Sequence, residues 1–166
     1  MKKFIASLLL LGVMNPCLAQ KIEKLPEVVI IATNYKYLST VDSEDESESV
    51  DLLQKEVASY DLKNSDVYED EYDLYYVSFH IPDGKILAAY DKNGKVLRTI
   101  EKFNDTRLPR NIMEAVTKRF PGWEITKDVY LVNYHSENGV TKKYKLRLQN
   151  GKKRIKVKTD EFGKFL

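Results

Sequence analysis

The chain has 166 residues, of which 43% are hydrophobic and 31% are charged, enough for one domain with a buried core. One cysteine and two histidines exclude a disulfide framework and a multi-histidine zinc site. A formal net charge of only +2 disfavours nucleic acid as a partner.

Residues 1–19 show the three-part pattern of a secretory signal peptide: two basic residues, an apolar run, and Ala19 at the cleavage position. The apolar run is about ten residues, too short to cross a bilayer of about 30 Å, so we expect cleavage rather than anchoring. Residues 14–16 do not fit lipid attachment at Cys17, which requires a small residue before the cysteine. The sequence predicts an exported protein, periplasmic or secreted and not a lipoprotein, whose mature chain has no cysteine nucleophile.

Charge is distributed unevenly along the chain. Residues 20–80 contain 5 basic and 15 acidic residues, whereas residues 81–166 contain 20 basic and 10 acidic residues. The two halves therefore carry opposite net charges of −10 and +10.

The segment 20–47 is predicted to be an N-terminal strand and an acidic linker. Residues 27–33 are a β-branched run typical of a buried strand, and residues 34–40 are predicted to be a loop. The acidic run that follows fits a helix start, with Ser43 and Glu46 as a capping box. A calcium site would need a glycine and a defined ligand spacing, and both are missing here.

Residues 48–104 are predicted to form a helix followed by a three-stranded meander. The helix has one apolar stripe, made of Val50, Leu53, Val57 and Tyr60. Alternation then predicts a strand with one buried face, made of Tyr75, Val77, Phe79 and Ile81. The predicted turns are Asp83-Gly84 and Asn93-Gly94.

Residues 105–166 are predicted to repeat this order of elements. A second helix opens at Leu108-Pro109 and stops at Pro121-Gly122. Its apolar stripe is Ile112, Ala115, Val116 and Phe120. The predicted strands are residues 123–134, 140–148 and 152–159, with Asn150-Gly151 as the last turn.

The two units also share residues. The pattern D-x-x-G-K-x-L occurs at residues 91–97 and again 69 residues later, at 160–166. Two copies indicate a duplication rather than a solenoid, which needs three or more repeats. The sequence therefore predicts an α+β fold of two tandem helix-plus-antiparallel-meander units.

Several motifs occur in a distinctive order: Leu108-Pro109, Phe120-Pro121-Gly122-Trp123, the Tyr144-x-Leu146-x-Leu148 strand, Asn150-Gly151 and Asp160-x-x-Gly163. In this order, residues 51–166 resemble the PepSY-like, β-lactamase-inhibitor-protein-like domains exported by Bacteroidetes. The resemblance implies one domain over residues 48–166, with helices on one face of a curved antiparallel sheet and the other face free. It also implies binding or inhibition of other proteins, without catalytic residues. Residues 27–40 fall outside it.

The last hairpin gives the sharpest binding signal. A two-residue Asn150-Gly151 turn would place Arg147 opposite Arg154 and Lys145 opposite Lys156 on the outward side. The core pairs would be Leu146–Ile155 and Tyr144–Val157. Like charges directly opposite destabilise a ladder, so this face either is only solvated or favours an anionic partner.

The candidate binding face is Lys145, Arg147, Arg154, Lys156, Lys158, Tyr76 and His80. Its counterpart could be the acidic half of this chain, an envelope protein, or an anionic glycan or lipid head group. In the first hairpin the same turn rule gives an outward face of little charge, made of Tyr76, Ser78, His80, Leu87 and Ala89.

Other clusters favour structural roles. Tyr68, Tyr72, Tyr75 and Tyr76 alternate with acidic residues and form either a binding surface or a strand pair with part of the tyrosines buried. His80 and His135 fit ordinary strand positions better than a metal pair, and Asp91 and Asp160 fit turn positions better than a catalytic dyad.

The sequence contains no G-x-S-x-G, P-loop or G-x-G-x-x-G motif. It predicts no cofactor, no metal and no catalysis, but a binding or inhibitory module that uses an exposed sheet face. The alternatives are a structural envelope protein without a specific ligand and, third, an enzyme based on carboxylates and tyrosines.

Overall fold

The computed structural model describes residues 34–43 and 47–166, which form three α-helices and one six-stranded antiparallel sheet. The helices are α1 (Tyr35–Val41), α2 (Glu48–Ser59) and α3 (Arg110–Arg119). The strands are β1 (Leu74–Ile81), β2 (Gly84–Asp91), β3 (Val96–Asn104), β4 (Glu124–His135), β5 (Gly139–Asn150) and β6 (Lys153–Asp160). The predicted signal peptide, the predicted strand 27–33 and Glu46 of the capping box lie outside the described residues.

The predicted α+β class is confirmed, with the helices on one face of the sheet. The strands lie in the sheet in chain order, from β1 at one edge to β6 at the other. Helix α2 packs on β1 and β2 through Val50, Leu53 and Val57, all buried, because residues three and four apart lie on one helical stripe. In α3, Ile112 and Val116 are buried in the same way. The other sheet face has no helix from the described residues on it.

The prediction of a loop over residues 34–40 is wrong, because helix α1 occupies this place. Asn34 fixes the start of the helix: its side chain donates to the Gly94 carbonyl (3.0 Å) and the Ala58 carbonyl (3.3 Å) and accepts from the Val96 N–H (2.8 Å). A helix of seven residues is too short to be stable alone, so these tertiary contacts must stabilise it. No local pattern in the sequence indicates these tertiary contacts.

Glu101 on β3 joins α1 and α2 to the centre of the sheet. Its side chain is 1% exposed. Oε1 accepts from the Tyr37 hydroxyl (3.0 Å) and the Thr99 hydroxyl (2.6 Å), and Oε2 accepts from Gln54 Nε2 (2.9 Å). A buried carboxylate is costly unless its oxygens are hydrogen-bonded, so each of these donors offsets part of the cost of desolvation.

Burial raises the pKa of Glu101 above the ordinary glutamate value, although the three hydrogen bonds and the positive charge of Lys142 act in the opposite direction. Lys142 on β5 is itself buried, and its ammonium donates to the Asp42 carbonyl just after α1 (3.2 Å). Glu101 pairs with Val132 on β4, which pairs in turn with Lys142. The two charges therefore lie in one row on the helix side of the sheet.

Both hairpin registers differ from the prediction by one turn position. Ile81 pairs with Gly84 and Asn150 pairs with Lys153, so the turn residues are Pro82-Asp83 and Gly151-Lys152. The second turn follows from backbone geometry. Of its two central residues, Gly151 has a positive φ (56°) and Lys152 does not, and glycine is favoured at the first central position of a type II′ turn. In the first turn, proline is favoured at the first central position of a type I turn.

The corrected register changes the cross-strand partners but not the faces. Leu146 faces Val157 rather than Ile155, and Tyr144 faces Thr159 rather than Val157. The shift is two residues along the partner strand, and side chains alternate with a period of two, so each side chain stays on its predicted face.

The first and last hairpins have the same pairing pattern. In the first hairpin Leu74 pairs with Asp91, and in the last hairpin Lys143 pairs with Asp160, 69 residues later at both positions. The turns that follow match as well. Asp91 Oδ1 accepts from the N–H groups of residues 93 and 95 (2.8 and 2.9 Å), and Asp160 Oδ1 accepts from those of residues 162 and 164 (3.0 and 2.9 Å). The predicted turn role of both aspartates is confirmed.

Replacing Tyr37 by Phe removes one donor from the buried Glu101 carboxylate. We expect this substitution to lower the free energy of unfolding by about 1–3 kcal/mol, the usual cost of a lost partner for a buried polar group. Urea unfolding followed by circular dichroism measures the change. Tyr35→Phe is the matched control, because Tyr35 lies on the same helix and is 68% exposed. Equal stabilities of the two variants would contradict the proposed role of the Tyr37 hydroxyl.

The raised pKa of Glu101 also predicts a pH dependence of stability. An acid with a raised pKa in the folded state stabilises most when protonated, and this contribution disappears as the pH rises through the folded pKa. The unfolding free energy of the wild type, measured against that of Glu101→Gln, should therefore fall as the pH rises above the ordinary glutamate pKa of about 4.3. Parallel pH profiles of the two proteins would refute this linkage.

Candidate binding surface

Five cations cluster on the helix-free face of β4, β5 and β6. We call them the basic surface: Lys127, Lys145, Arg147, Lys156 and Lys158. All five side chains are exposed. Arg147 pairs with Lys156, and Lys145 pairs with Lys158. The partners differ from the predicted ones, yet the like-charge pairs remain because the register error left the faces unchanged.

The basic surface surrounds a depression of about 540 Å³ on the sheet. Val129 of β4 also lines the depression, together with three carboxylates: Asp83, Asp105 and Asp128. This volume is within the range of small-molecule sites, about 300–1,000 Å³. The depression thus offers room, an apolar contact and an excess of positive charge.

Asp128 is engaged in holding the rim of this depression. Its Oδ2 accepts from the Thr106 N–H (3.1 Å) and from the Thr106 hydroxyl (2.9 Å). Burial raises the pKa of Asp128 above the ordinary aspartate value, and the hydrogen bonds from Thr106 lower it in part. The preceding loop residue, Asp105, has a positive φ of 51°, a conformation that aspartate tolerates better than most residues. These bonds fix the loop beside the cations.

The cations of the basic surface form no ion pair with a carboxylate in residues 34–43 or 47–166. The ion pairs of this part of the chain lie elsewhere: Lys55–Asp51 (2.8 Å), Lys92–Asp73 (3.3 Å) and Arg110–Glu114 (2.8 Å). Arg154 was predicted to face Arg147, but it lies opposite Gln149 and donates from Nε to its side-chain oxygen (3.1 Å). Arg154 is thus at the margin of the basic surface.

Tyr76 and His80, the other two predicted site residues, lie on β1 at the far edge of the sheet. They share the helix-free face with the basic surface, but four strand spacings separate β1 from β5, about 19 Å. The structure does not bring them together with the lysines. His135 lies on β4 and His80 on β1, so the two histidines are also apart. The His135 ring accepts a hydrogen bond from the Glu137 N–H.

The prediction of little charge on the outward face of the first hairpin is incomplete. Lys85 lies on that face, directly opposite Lys102 of β3. The same row continues through Leu131 to Lys143 of β5. The alternation of side chains along a strand could have assigned Lys85 to the outward face, because Lys85 lies two residues before Leu87. The same alternation could not assign Lys127 to a face of the sheet, since a bulge interrupts the pairing of β4 between Ile125 and Lys127.

The shared register aligns uncharged residues of the first hairpin with the cations of the last one. Tyr76, Ser78, Leu87 and Ala89 correspond to Lys145, Arg147, Lys156 and Lys158 in the shared register. On the helix side the matched positions stay apolar, as in Tyr75 and Tyr144, both buried. The two hairpins therefore differ in charge where the sheet faces outward.

The four tyrosines near the start of β1 divide between core and surface. Tyr75 is buried, and its hydroxyl donates to the carbonyls of Tyr72 (2.9 Å) and Glu69. Tyr68 stacks on its ring at 5.4 Å. Tyr72 and Tyr76 remain exposed. The tyrosines thus order an acidic loop as well as offering surface.

No protein-family model matches this chain, and no curated protein matches its sequence. The resemblance of residues 51–166 to PepSY-like domains therefore stays a prediction. Across the described ranges, no helix combines the length and the apolar character needed to cross a membrane. The same residues contain no group of three or more potential ligands, histidine, cysteine, aspartate or glutamate, that could hold a metal ion.

The like-charge pairs predict that a charge reversal will stabilise the protein. Lys158→Glu places a carboxylate opposite Lys145 and should raise the free energy of unfolding by about 0.2–1 kcal/mol at low salt. Lys153→Glu is the matched control, because it makes the same charge change on the same strand opposite the neutral Asn150. A gain that is no larger for Lys158→Glu than for Lys153→Glu would argue against repulsion between the paired lysines.

Proposed function

We propose that this chain is an exported, non-catalytic binding module whose basic surface binds an acidic segment of an envelope protein. One observation carries the proposal: cations face cations across β5 and β6, and none of them forms an ion pair with a carboxylate of the described residues. Such an arrangement lowers the stability of the free protein. A bound anion removes the repulsion, so binding recovers that free energy.

The neighbouring surface supports a protein partner over a free glycan or a lipid head group. Exposed apolar side chains continue the same sheet face toward β1: Tyr76, Leu87 and Ile100. Protein interfaces combine apolar anchors with charged margins, and tyrosine is enriched among the residues that contribute most to binding. Binding of a polyanionic sugar to the cations would not require these apolar side chains.

The two carboxyl groups with raised pKa values support a structural role rather than catalysis. Glu101 is enclosed by donors from α1, α2 and β3, and Asp128 is engaged by Thr106. General acids and bases need access to a substrate proton, which a fully enclosed Glu101 does not have. The carboxylate-based enzyme is therefore the less supported alternative.

Binding of defined polyanions tests the proposal. We expect the purified protein to bind a fluorescent glutamate-rich peptide that includes tyrosine and leucine, with an affinity that falls as salt rises. Lys145→Glu with Lys156→Glu should weaken binding at least about tenfold, equivalent to about 1.4 kcal/mol. Lys95→Glu with Lys118→Glu is the control of equal charge, since both residues are exposed and lie away from the basic surface.

The competing partners give distinguishable results. Heparin and vesicles of anionic lipid are tested beside the peptide. Tighter binding of heparin or vesicles than of the peptide would replace the protein partner by a glycan or a membrane. Equal losses in the two double variants would overturn the basic surface as the site. Absence of binding to all three would favour a structural protein without a specific ligand.

A further inference from the structure

We propose that the basic surface also binds the acidic segment of a second copy of this chain, so that copies associate head to tail. The acidic segment is residues 61–73, which connect α2 to β1 and carry Asp61, Asp66, Glu69, Asp70, Glu71 and Asp73. This inference rests on the proposed function, because it uses the same basic surface. It adds a partner whose chemistry is visible in the structure itself.

The acidic segment cannot neutralise the basic surface of its own molecule. It leads into β1, at one edge of the sheet, whereas the basic surface lies on β4, β5 and β6 at the other edge. Three to five strand spacings separate β1 from β4, β5 and β6, about 14–24 Å. The two charge clusters therefore belong to opposite ends of one molecule, where only another molecule can bring them into contact.

The described part of the other acidic run lies away from the basic surface as well. The Asp42 carbonyl contacts the ammonium of Lys142, and Lys142 is buried on the helix side of β5. The basic surface occupies the opposite side of the same strand, on Lys145 and Arg147. Neither the segment 61–73 nor Asp42 thus covers the basic surface within the molecule.

The acidic segment is exposed and has few cations beside it. Its ion pair with the rest of the described chain is Asp73–Lys92 at 3.3 Å, and both side chains are largely in solvent, where such a pair contributes little. Tyr72 and Val67 are 55% and 51% exposed within the segment. It therefore offers carboxylates that can pair with the cations of the basic surface, together with an aromatic side chain that can pack near Val129.

The order of the segment favours association as well. The Tyr75 hydroxyl holds the carbonyls of Tyr72 and Glu69, and Tyr68 stacks on the Tyr75 ring. A segment that is already ordered loses less conformational entropy on binding than a flexible one. The carboxylates are thus presented on a defined loop.

The contact is heterologous, because the two patches differ. Head-to-tail contacts between different patches leave one free patch at each end, so they form open chains unless the rotation closes a ring. Each acidic segment bound in this way occupies a basic surface that the proposed external partner would need. Self-association and partner binding are therefore expected to compete.

Sedimentation velocity over a range of concentrations and salt tests this inference. We expect the wild type to form dimers and larger species at about 20 mM salt and to be monomeric at about 1 M, because salt screens exposed charges. Lys145→Glu with Lys158→Glu lowers the formal charge of the basic surface from +5 to +1, and Glu69→Lys with Glu71→Lys changes that of the acidic segment from −5 to −1. Each double variant alone should be monomeric at both salt concentrations.

Mixing the two variants supplies the control. Each retains the patch that the other has lost, so an equimolar mixture should associate at low salt although neither variant does so alone. Circular dichroism of each variant verifies that it is folded. A monomeric wild type at low salt, association that either variant retains, or failure of the mixture to associate would overturn the inference.

The outcome separates this inference from the proposed function. If the wild type stays monomeric but binds the glutamate-rich peptide through the basic surface, self-association is wrong and the proposed function stands. If copies associate but the peptide does not bind, the surface serves self-association and the external partner is wrong. If neither occurs, both proposals fail.

Discussion

The fold depends on how it accommodates one buried carboxylate. Glu101 lies at the centre of the sheet, where an ionised group without partners would destabilise the protein by several kcal/mol. Its donors come from Tyr37 on α1, Gln54 on α2 and Thr99 on its own strand. The cost of desolvation is therefore offset only when both helices are in place. This requirement fixes which face of the sheet the first two helices cover.

Covering one face determines what the other can do. Lys142 lies on the helix side of β5, where its ammonium donates to the Asp42 carbonyl that follows α1. Lys143, Lys145 and Arg147 alternate with the core positions of this strand and point outward. Because the strand period is two, the requirements of the core and the charge of the free face can change independently. The first and last hairpins illustrate this independence: their registers are the same, but their outward residues differ in charge.

The distribution of charge over this sheet connects the binding proposals. The two halves of the sequence carry opposite net charges, and the fold places these charges at opposite edges of one sheet. The acidic segment 61–73 lies at one edge and the basic surface at the other. Charges so placed interact weakly within the molecule, since the separation exceeds the screening length of about 8 Å at physiological salt. They remain available to other molecules. Like charges that oppose each other on β5 and β6 lower the stability of the free protein, and an anionic partner would remove that penalty.

The sequence by itself determined the elements with strong periodicity and the faces of their side chains. The stripe of α2, the strand alternation and the turn aspartates depend on local spacing, so they could be predicted without a structure. The faces of Lys145 and Arg147 survived an error in the register, because a shift of two residues preserves parity. Tertiary structure alone decided the rest. Helix α1 exists because Asn34, Tyr37 and Lys142 find distant partners, and Lys127 joins the basic surface through a bulge. Tyr76 and His80 are kept away from that surface by the order of the strands, a long-range property that local spacing does not encode.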